Sequence, residues 1–367
     1  MLLGRAQGNV NMSNYKIIPL QALGDVETKA VLKASLRAHK ELGELKGLAL
    51  TIPNQNILLT TLSLQEAKES SEIENIITTH DDLYQSNYQS QIFNSSAAKE
   101  VHNYAKALEV GFNIVRDSNL LVNNTILEIQ KIIENNTAGF RTQAGTTLVN
   151  KQTGDVVYTP PQTGQEVIQL MSELEIFINN SDLSDYDVLV KMALIHHQFE
   201  SIHPFYDGNG RTGRVLNILY LTKSNILSSP ILYLSRFINR NKNEYYRLLQ
   251  EVRDTGSWEA WLIYMMQALE ETARETSSTL RGVIELMKEF KVVIKKELPK
   301  IYSHELINNL FKHPYTKNEF IIQELNVHRN TASKYLEALV GIGLLVKHKI
   351  GKENYYLNKK LYDLLSN

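Results

Sequence analysis

Residues 211–223, RTGRVLNILYLTK, constrain the fold more than any other stretch, because after Arg214 they are apolar on nearly every side. A helix without a polar face is stable only when neighbours enclose it, so this one belongs at the centre of a helical bundle. Other segments carry the single apolar stripe needed to surround it. In 28–47, Val31, Leu32, Leu36, Leu42 and Leu45 recur at helical spacing and Gly47 supplies a stop. Further helices are expected over 63–79, 97–115, 124–135, about Asp187 to Ser201, 242–253 and 258–290. The bundle is interrupted once, at 140–162, where TTLV and DVVYT flank a Gly-bearing turn and end in Pro160-Pro161, the pattern of an exposed β-hairpin.

After about residue 300 the pattern changes. SHELINNLF, TKNEFIIQEL and TASKYLEALVGIGLL read as three helices with a short turn at NVHRN, and VKHKIGKENYYLN reads as two strands turning at Gly351-Lys352. Helix, helix, turn, helix, wing is the order of a winged helix-turn-helix. The expected organisation is a packing arm (1–62), a mainly α central domain (63–290) and this small C-terminal domain (300–367). The second Met, at position 12, suggests that the first eleven residues are dispensable.

With 39 Lys and Arg against 40 Asp and Glu, the net charge is −1, so bulk electrostatics favour neither nucleic acid nor an anionic membrane, and any anion recognition is local. No apolar run reaches the roughly 20 residues of a membrane span, and MLLGRAQGNV lacks the apolar middle of a signal peptide. The absence of cysteine excludes disulfides and thiolate chemistry and suits a reducing cytoplasm, the expected compartment.

Immediately before the central helix lies HPFYDGNGRTGR, 203–214, which holds one His, one Asp, one Asn, two Arg and three Gly. The backbone N–H groups of Gly208, Asn209 and Gly210 can converge on an anion at the N-terminus of the helix that follows, forming a phosphate cradle. Arg211 and Arg214, three apart on one helical face, can grip separate phosphates of a polyphosphate. Asp207 is placed to hold Mg²⁺ against phosphate oxygens, and the imidazole of His203 is poised to act as a base toward a hydroxyl. Each residue alone has an ordinary turn or helix-end explanation. Together, two Arg and an Asp beside an apolar helix call for anionic partners, and the set describes transfer of a phosphate-containing group to an alcohol.

This stretch resembles the signature of the Fic family, HPFxxGNGRxxR, matched by His203, Pro204, Phe205, Gly208, Asn209, Gly210, Arg211 and Arg214. The resemblance implies a Fic-type helical bundle with a β-hairpin flap, and transfer of AMP from ATP to a Ser, Thr or Tyr hydroxyl of a target protein, the chain itself included. It makes His203 the base, Asp207 the Mg²⁺ ligand, Asn209 and the glycine amides the holders of the α- and β-phosphates, and Arg211 and Arg214 the grip on the outer phosphates. Thr212 and Gly213 complete the phosphate-binding run, and Phe205 anchors the loop. Doc-type kinases of the same family typically carry Lys where this chain has Gly210, which argues against phosphoryl transfer.

Upstream, Ser70, Glu74 and Asn75 fit the family's inhibitory pattern [S/T]xxxE[G/N]. On a helix over about 64–79, Ser70 and Glu74 would share a face, which by itself describes a solvated acid. The resemblance implies instead that Glu74 pairs with Arg214 and withholds it from ATP, or, in some relatives, helps remove AMP from a modified target. By position the hairpin corresponds to the family's target-docking flap, with Val156, Val157 and Tyr158 as contacts; the residues alone equally suit a structural hairpin. Arg240, Asn241 and Tyr245 resemble the segment that meets the nucleotide base, although Arg253 stands where some relatives keep Asn. His196 and His197 read as core or surface residues, not zinc ligands. In the tail, Arg329, Lys334, Lys347, Lys349 and Lys352 form a modest basic set diluted by Glu337 and Glu353. That set leaves open DNA binding, protein docking or homodimerisation, and with DNA binding the alternative of a regulator whose Fic module senses nucleotide.

Overall fold

The computed structural model describes residues 15–52, 54–85, 93, 95–149, 153–350 and 353–366. The expected turns at 150–152 and 351–352, with Lys352 and the first fourteen residues, lie outside them. Among the described residues the architecture is mainly helical, with two small sheets. None of the helices is long and apolar enough to cross a membrane.

The segment apolar on all sides forms helix α8 (Asn209–Lys223), buried along nearly its whole length. Around it pack α2 (Gln55–Ile73), α4 (Ser96–Ser118), α5 (Asn123–Glu134) and α7 (Val188–Ile202). Asp187 is the N-cap of α7, accepting from the Leu189 N–H at 2.9 Å. α4 crosses α8 closely at Gly111, where an added Cβ would lie 2.6 Å from Leu219 Cδ1. A larger residue there would have to push Leu219 and Ile129 aside. Two strands, β1 (Leu148–Val149) and β2 (Val156–Tyr158), form the expected hairpin, and α6 (Gly164–Asn179) follows.

The N-terminal arm is helix α1 (Lys29–Ala49), capped by the Thr28 hydroxyl. Gly47 does not stop it, because a glycine inside a helix weakens without breaking it. The buried stripe also differs from the expected one. Leu36 is 73% exposed and Leu32 also faces out, while Val31, Ala34, Ala38, Leu42 and Leu45 pack on α11 (Glu259–Glu297). Small side chains allow the two long helices to lie close, which a count of large apolar residues misses. α2 begins at Gln55, so the boundary expected at 62–63 falls inside a helix.

α11 is one continuous helix of 39 residues. Near its start the Trp261 indole N–H donates to the Ala193 carbonyl at 3.0 Å, and near its end Phe290 meets Phe311 edge-on. The C-terminal domain contains α12 (His304–Lys312), β3 (Tyr315–Thr316), α13 (Asn318–Leu325), α14 (Arg329–Gly341), β4 (Val346–Ile350), β5 (Glu353–Leu357) and α15 (Lys359–Ser366). Its sheet has the order β3-β5-β4. The expected helix order and two-stranded wing are present; β3 and α15 are additions. Three further helices carried no expectation: α3 (His80–Gln85), α6 and α9 (Leu234–Arg240), with α10 (Lys242–Thr255) after them.

Candidate active site

The loop between α7 and α8 is fixed by its own backbone before any ligand is considered. His203 closes α7 in the left-handed region (φ 49°), donating its N–H to the Phe199 carbonyl at 2.9 Å. Buried Arg141, which no motif marks, ties this turn down. Its Nε donates to the His203 carbonyl at 2.7 Å, its Nη2 to the Ile202 carbonyl at 3.2 Å, and its backbone N–H to the Pro204 carbonyl at 2.8 Å. A left-handed non-glycine residue costs about 1 kcal/mol or more, and these bonds hold it in place. Phe205 is fully buried against Phe140 and Phe199, as expected of an anchor.

Asn209 departs from the role the resemblance implied. Its Oδ1 accepts from the Phe205 N–H and its Nδ2 donates to the Phe205 carbonyl, both at 2.8 Å, so the side chain clamps the loop instead of pointing at an anion. Thr212 is buried, and Gly213 faces the interior, where an added Cβ would lie 2.6 Å from Glu200 Oε1. What the loop offers for the expected cradle is therefore backbone, from Gly208 (φ 80°) to Gly210, at the N-terminus of α8. Asp207 is exposed beside it; its Oδ1 accepts from the Gly208 N–H at 2.8 Å.

The two arginines have different partners. Arg211 donates to Glu100 at 3.1 Å and to Glu134 at 2.7 Å, from α4 and α5. Glu134 also covers Gly208 so closely that a Cβ there would sit 2.3 Å from its Oε1. Arg214 is 1% exposed. Its Nε donates to Ser70 Oγ at 2.8 Å, and its Nη2 to the Ser70 carbonyl at 2.9 Å and to Glu74 Oε1 at 3.0 Å.

Ser70 and Glu74 therefore meet the same arginine, but not from one helix face. α2 ends at Ile73, and Glu74 leads a turn closed by Asn75 in the left-handed region (φ 65°), with the Ile76 N–H returning to the Ser71 carbonyl at 3.0 Å. That geometry is a helix C-cap, for which Asn is well suited. Burial would raise the Glu74 carboxyl, but Arg214, then Arg211 and Lys242, outweigh it and hold it below its usual value. Gly210 leaves room for this contact: a Cβ there would lie 2.5 Å from Glu74 Oε1.

Burial, then the charges of Arg253 and Arg141, depress the His203 imidazole to about 4, so it is neutral at physiological pH and able to accept a proton. Behind it, burial raises the Glu200 carboxyl to about 7 against the pull of Arg214. Buried Glu66 is likewise raised to about 7 by burial, while accepting from the Ser235 N–H at 3.0 Å and the Tyr104 hydroxyl at 3.1 Å.

The three expected base contacts have partners within the fold. Tyr245 is buried, its hydroxyl 2.8 Å from His196 Nε2; Arg240 pairs with Glu275 at 2.8 Å; the Asn241 amide donates to the Phe237 carbonyl at 2.9 Å. Tyr246, the neighbouring residue, is 46% exposed and lies within charge range of Glu74 and Arg214. A tyrosine pair on a helix has one buried member, and the sequence does not say which. In the hairpin Val156 and Val157 are exposed, whereas Tyr158 is buried and donates to the Ser201 carbonyl at 2.9 Å beneath the Arg253 guanidinium, 4.1 Å from the ring centroid. His196 and His197 are core residues against Trp261. No cluster of three metal-ligating side chains occurs among the described residues.

With this geometry in view, comparison with known proteins is decisive. Residues 32–113 match the Fic/DOC family N-terminal model, 120–221 the Fic/DOC family model, and 286–361 the C-terminal domain of SoFic-like protein adenylyltransferases. The chain belongs to the Fic/DOC family. A probable protein adenylyltransferase of Aquifex aeolicus is 27% identical over 201 residues, 53% of this chain and 57% of that relative. The protein adenylyltransferase Fic of Drosophila yakuba is 28% identical over 115 residues, 31% of this chain and 22% of that one. The chain thus spans little more than half, or about a fifth, of the length of these relatives. Among solved Fic structures, a family protein of Desulfovibrio desulfuricans G20 superposes with a TM-score of 0.57 at 20% identity, covering 90% of this chain and 96% of that one. The Fic fold is shared across this range.

Proposed function

We propose that the chain is a protein adenylyltransferase that moves AMP from ATP to a hydroxyl of a target protein and is held off by Glu74. The observation that carries this reading is the pairing of Glu74 with Arg214 beside a neutral His203 and a glycine-lined helix N-terminus. His203 takes the hydroxyl proton; the oxygen attacks the α-phosphorus; the bond to the bridging oxygen of the β-phosphate breaks and pyrophosphate leaves. The amides of Asn209 and Gly210 and the Arg214 guanidinium bear the developing charge, whereas Arg211, tied to Glu100 and Glu134, positions the N-terminal turn of α8. Tyr246 in place of Tyr245 lines the nucleotide side. Asp207 suits Mg²⁺, which commonly takes one or two carboxylates plus substrate phosphates, so the lack of a three-ligand cluster is consistent with it. Mg²⁺ would supply charge neutralisation to the phosphates. The exposed edge of the β1–β2 hairpin suits a docked target strand.

The test is incorporation of α-labelled AMP with Mg²⁺. Glu74→Gly is expected to label itself and proteins of a lysate, and Glu74→Gly/His203→Ala neither; absence of label in the first would overturn the proposal.

A further inference from the structure

The C-terminal domain is packed on the segment that carries Glu74. α12 and α15 lie against α2, the helix that ends in the Glu74 turn. Beyond that turn the chain enters α3 within a few residues, and there the Tyr315 hydroxyl of β3 donates to Asp81 Oδ1 at 2.8 Å. The Tyr362 ring of α15 meets the rings of His80 and Tyr84 edge-on, at 6.4 and 6.0 Å, and touches Tyr315 at 5.9 Å. Tyr84 is joined to α2 in turn, because the Gln65 amide donates to its hydroxyl. Asp81 also interacts with the Tyr362 hydroxyl, which contributes, after burial, to raising that phenol above its usual range.

The residues from 74 to 80 therefore form a short bridge between two anchors. One is Arg214, which holds Glu74; the other is a clasp of Tyr315, Tyr362, Asp81, His80 and Tyr84 across the domain boundary. Residues 74–76 are capped onto the end of α2 by backbone bonds and Thr78 is buried, but Ile77 is 73% exposed, and Asn75 and Thr79 are exposed too. A seven-residue bridge fixed at both ends explores far fewer conformations than one free at its far end, so loosening the clasp raises the entropy of the state in which Glu74 has left Arg214.

We propose that the C-terminal domain is a brace for the inhibitory carboxylate, so that events on that domain set how readily Glu74 leaves Arg214. This deepens the proposed function and rests on it for its catalytic readout. One hydrogen bond and a pair of edge-on ring contacts lead us to expect an effect of about three- to tenfold.

Tyr315→Phe/Tyr362→Ala in the full chain is expected to raise self-adenylylation by that factor, and to change nothing in a Glu74→Gly chain, where no inhibition is left to relieve. Asp81→Ala, at an exposed position, tests the same clasp without disturbing the core. An equal rate in the parent and both clasp variants, with Glu74→Gly active, would overturn the brace while leaving the functional reading intact. If Glu74→Gly is itself inactive, the functional reading fails, and hydrogen exchange over 71–85 decides the brace: faster exchange in the clasp variants supports it, and unchanged exchange refutes it.

Discussion

Removing Glu74 has a consequence for ATP affinity that can be sized from the geometry. At the 3.0 Å separation of the Arg214–Glu74 pair, an effective dielectric of about 20 gives an attraction of roughly 5 kcal/mol. Much of that is lost to solvent, because a third of the Glu74 side chain is exposed, and Arg214 keeps both bonds to Ser70 when Glu74 leaves. About 2 kcal/mol remains as the net hold on the guanidinium, below the several kcal/mol typical of breaking a fully buried pair. A γ-phosphate that needs Arg214 must first displace Glu74, so the same 2 kcal/mol weakens ATP by about 30-fold. Glu74→Ala should recover that factor. The assay is calorimetric titration with Mg²⁺-ATP in a His203→Ala background, which stops turnover, with and without Glu74→Ala. Without nucleotide, the Glu74→Ala chain should also melt a few degrees lower, since Arg214 loses a partner, and saturating ATP should restore the difference. Dissociation constants within threefold of each other would refute the competition for Arg214.

The pH dependence of transfer should reflect a depressed imidazole. Neutral His203 is the working base, so in Glu74→Gly the acid limb of the rate profile, read from initial rates of AMP incorporation between pH 4 and 8, should fall near pH 4 and not near 6.5; a midpoint above 6 would contradict it. Two glycines should respond oppositely to alanine in a thermal or urea melt. Gly213→Ala pushes a methyl to 2.6 Å from Glu200 Oε1 and 3.1 Å from Phe199 Cδ1 and should cost about 1–3 kcal/mol, while Gly47→Ala, in open space within α1, should stabilise by about 0.5–1 kcal/mol.

Periodicity made the helical bundle readable, because α8 has no polar face and α4 and α5 each have one apolar stripe, whereas α7 is buried on every side. It was less informative for α1, where alanines rather than Leu32 and Leu36 form the buried face. The motif placed His203, the glycine amides and Arg214 together, since neighbours in sequence around one turn stay neighbours in space. What it did not show was which polar side chains the fold itself consumes. Asn209 is used on the Phe205 backbone, and Arg211 on Glu134 and Glu100, partners 77 and 111 residues away in sequence. Arg141 serves the loop from outside the motif, through carbonyls that any residue would present. Glu74 was found by pattern, but its position past the end of α2 depends on Asn75 taking a left-handed cap.

α11 reaches from the bundle to the C-terminal domain, and six non-helical residues, 298–303, separate it from α12. Thirty-nine helical residues make a rod of about 58 Å, and its two ends are locked at Trp261 and Phe290. A continuous helix neither swivels nor lengthens. The C-terminal domain is seated on the far end of this rod through α12 and α15, so swinging clear of α2 would also mean leaving α11. Under the proposed brace, release has to come from yielding of the short span after Glu74. The mechanical fuse would then be about seven residues long, and the rest of the molecule would hold its shape while it gives way.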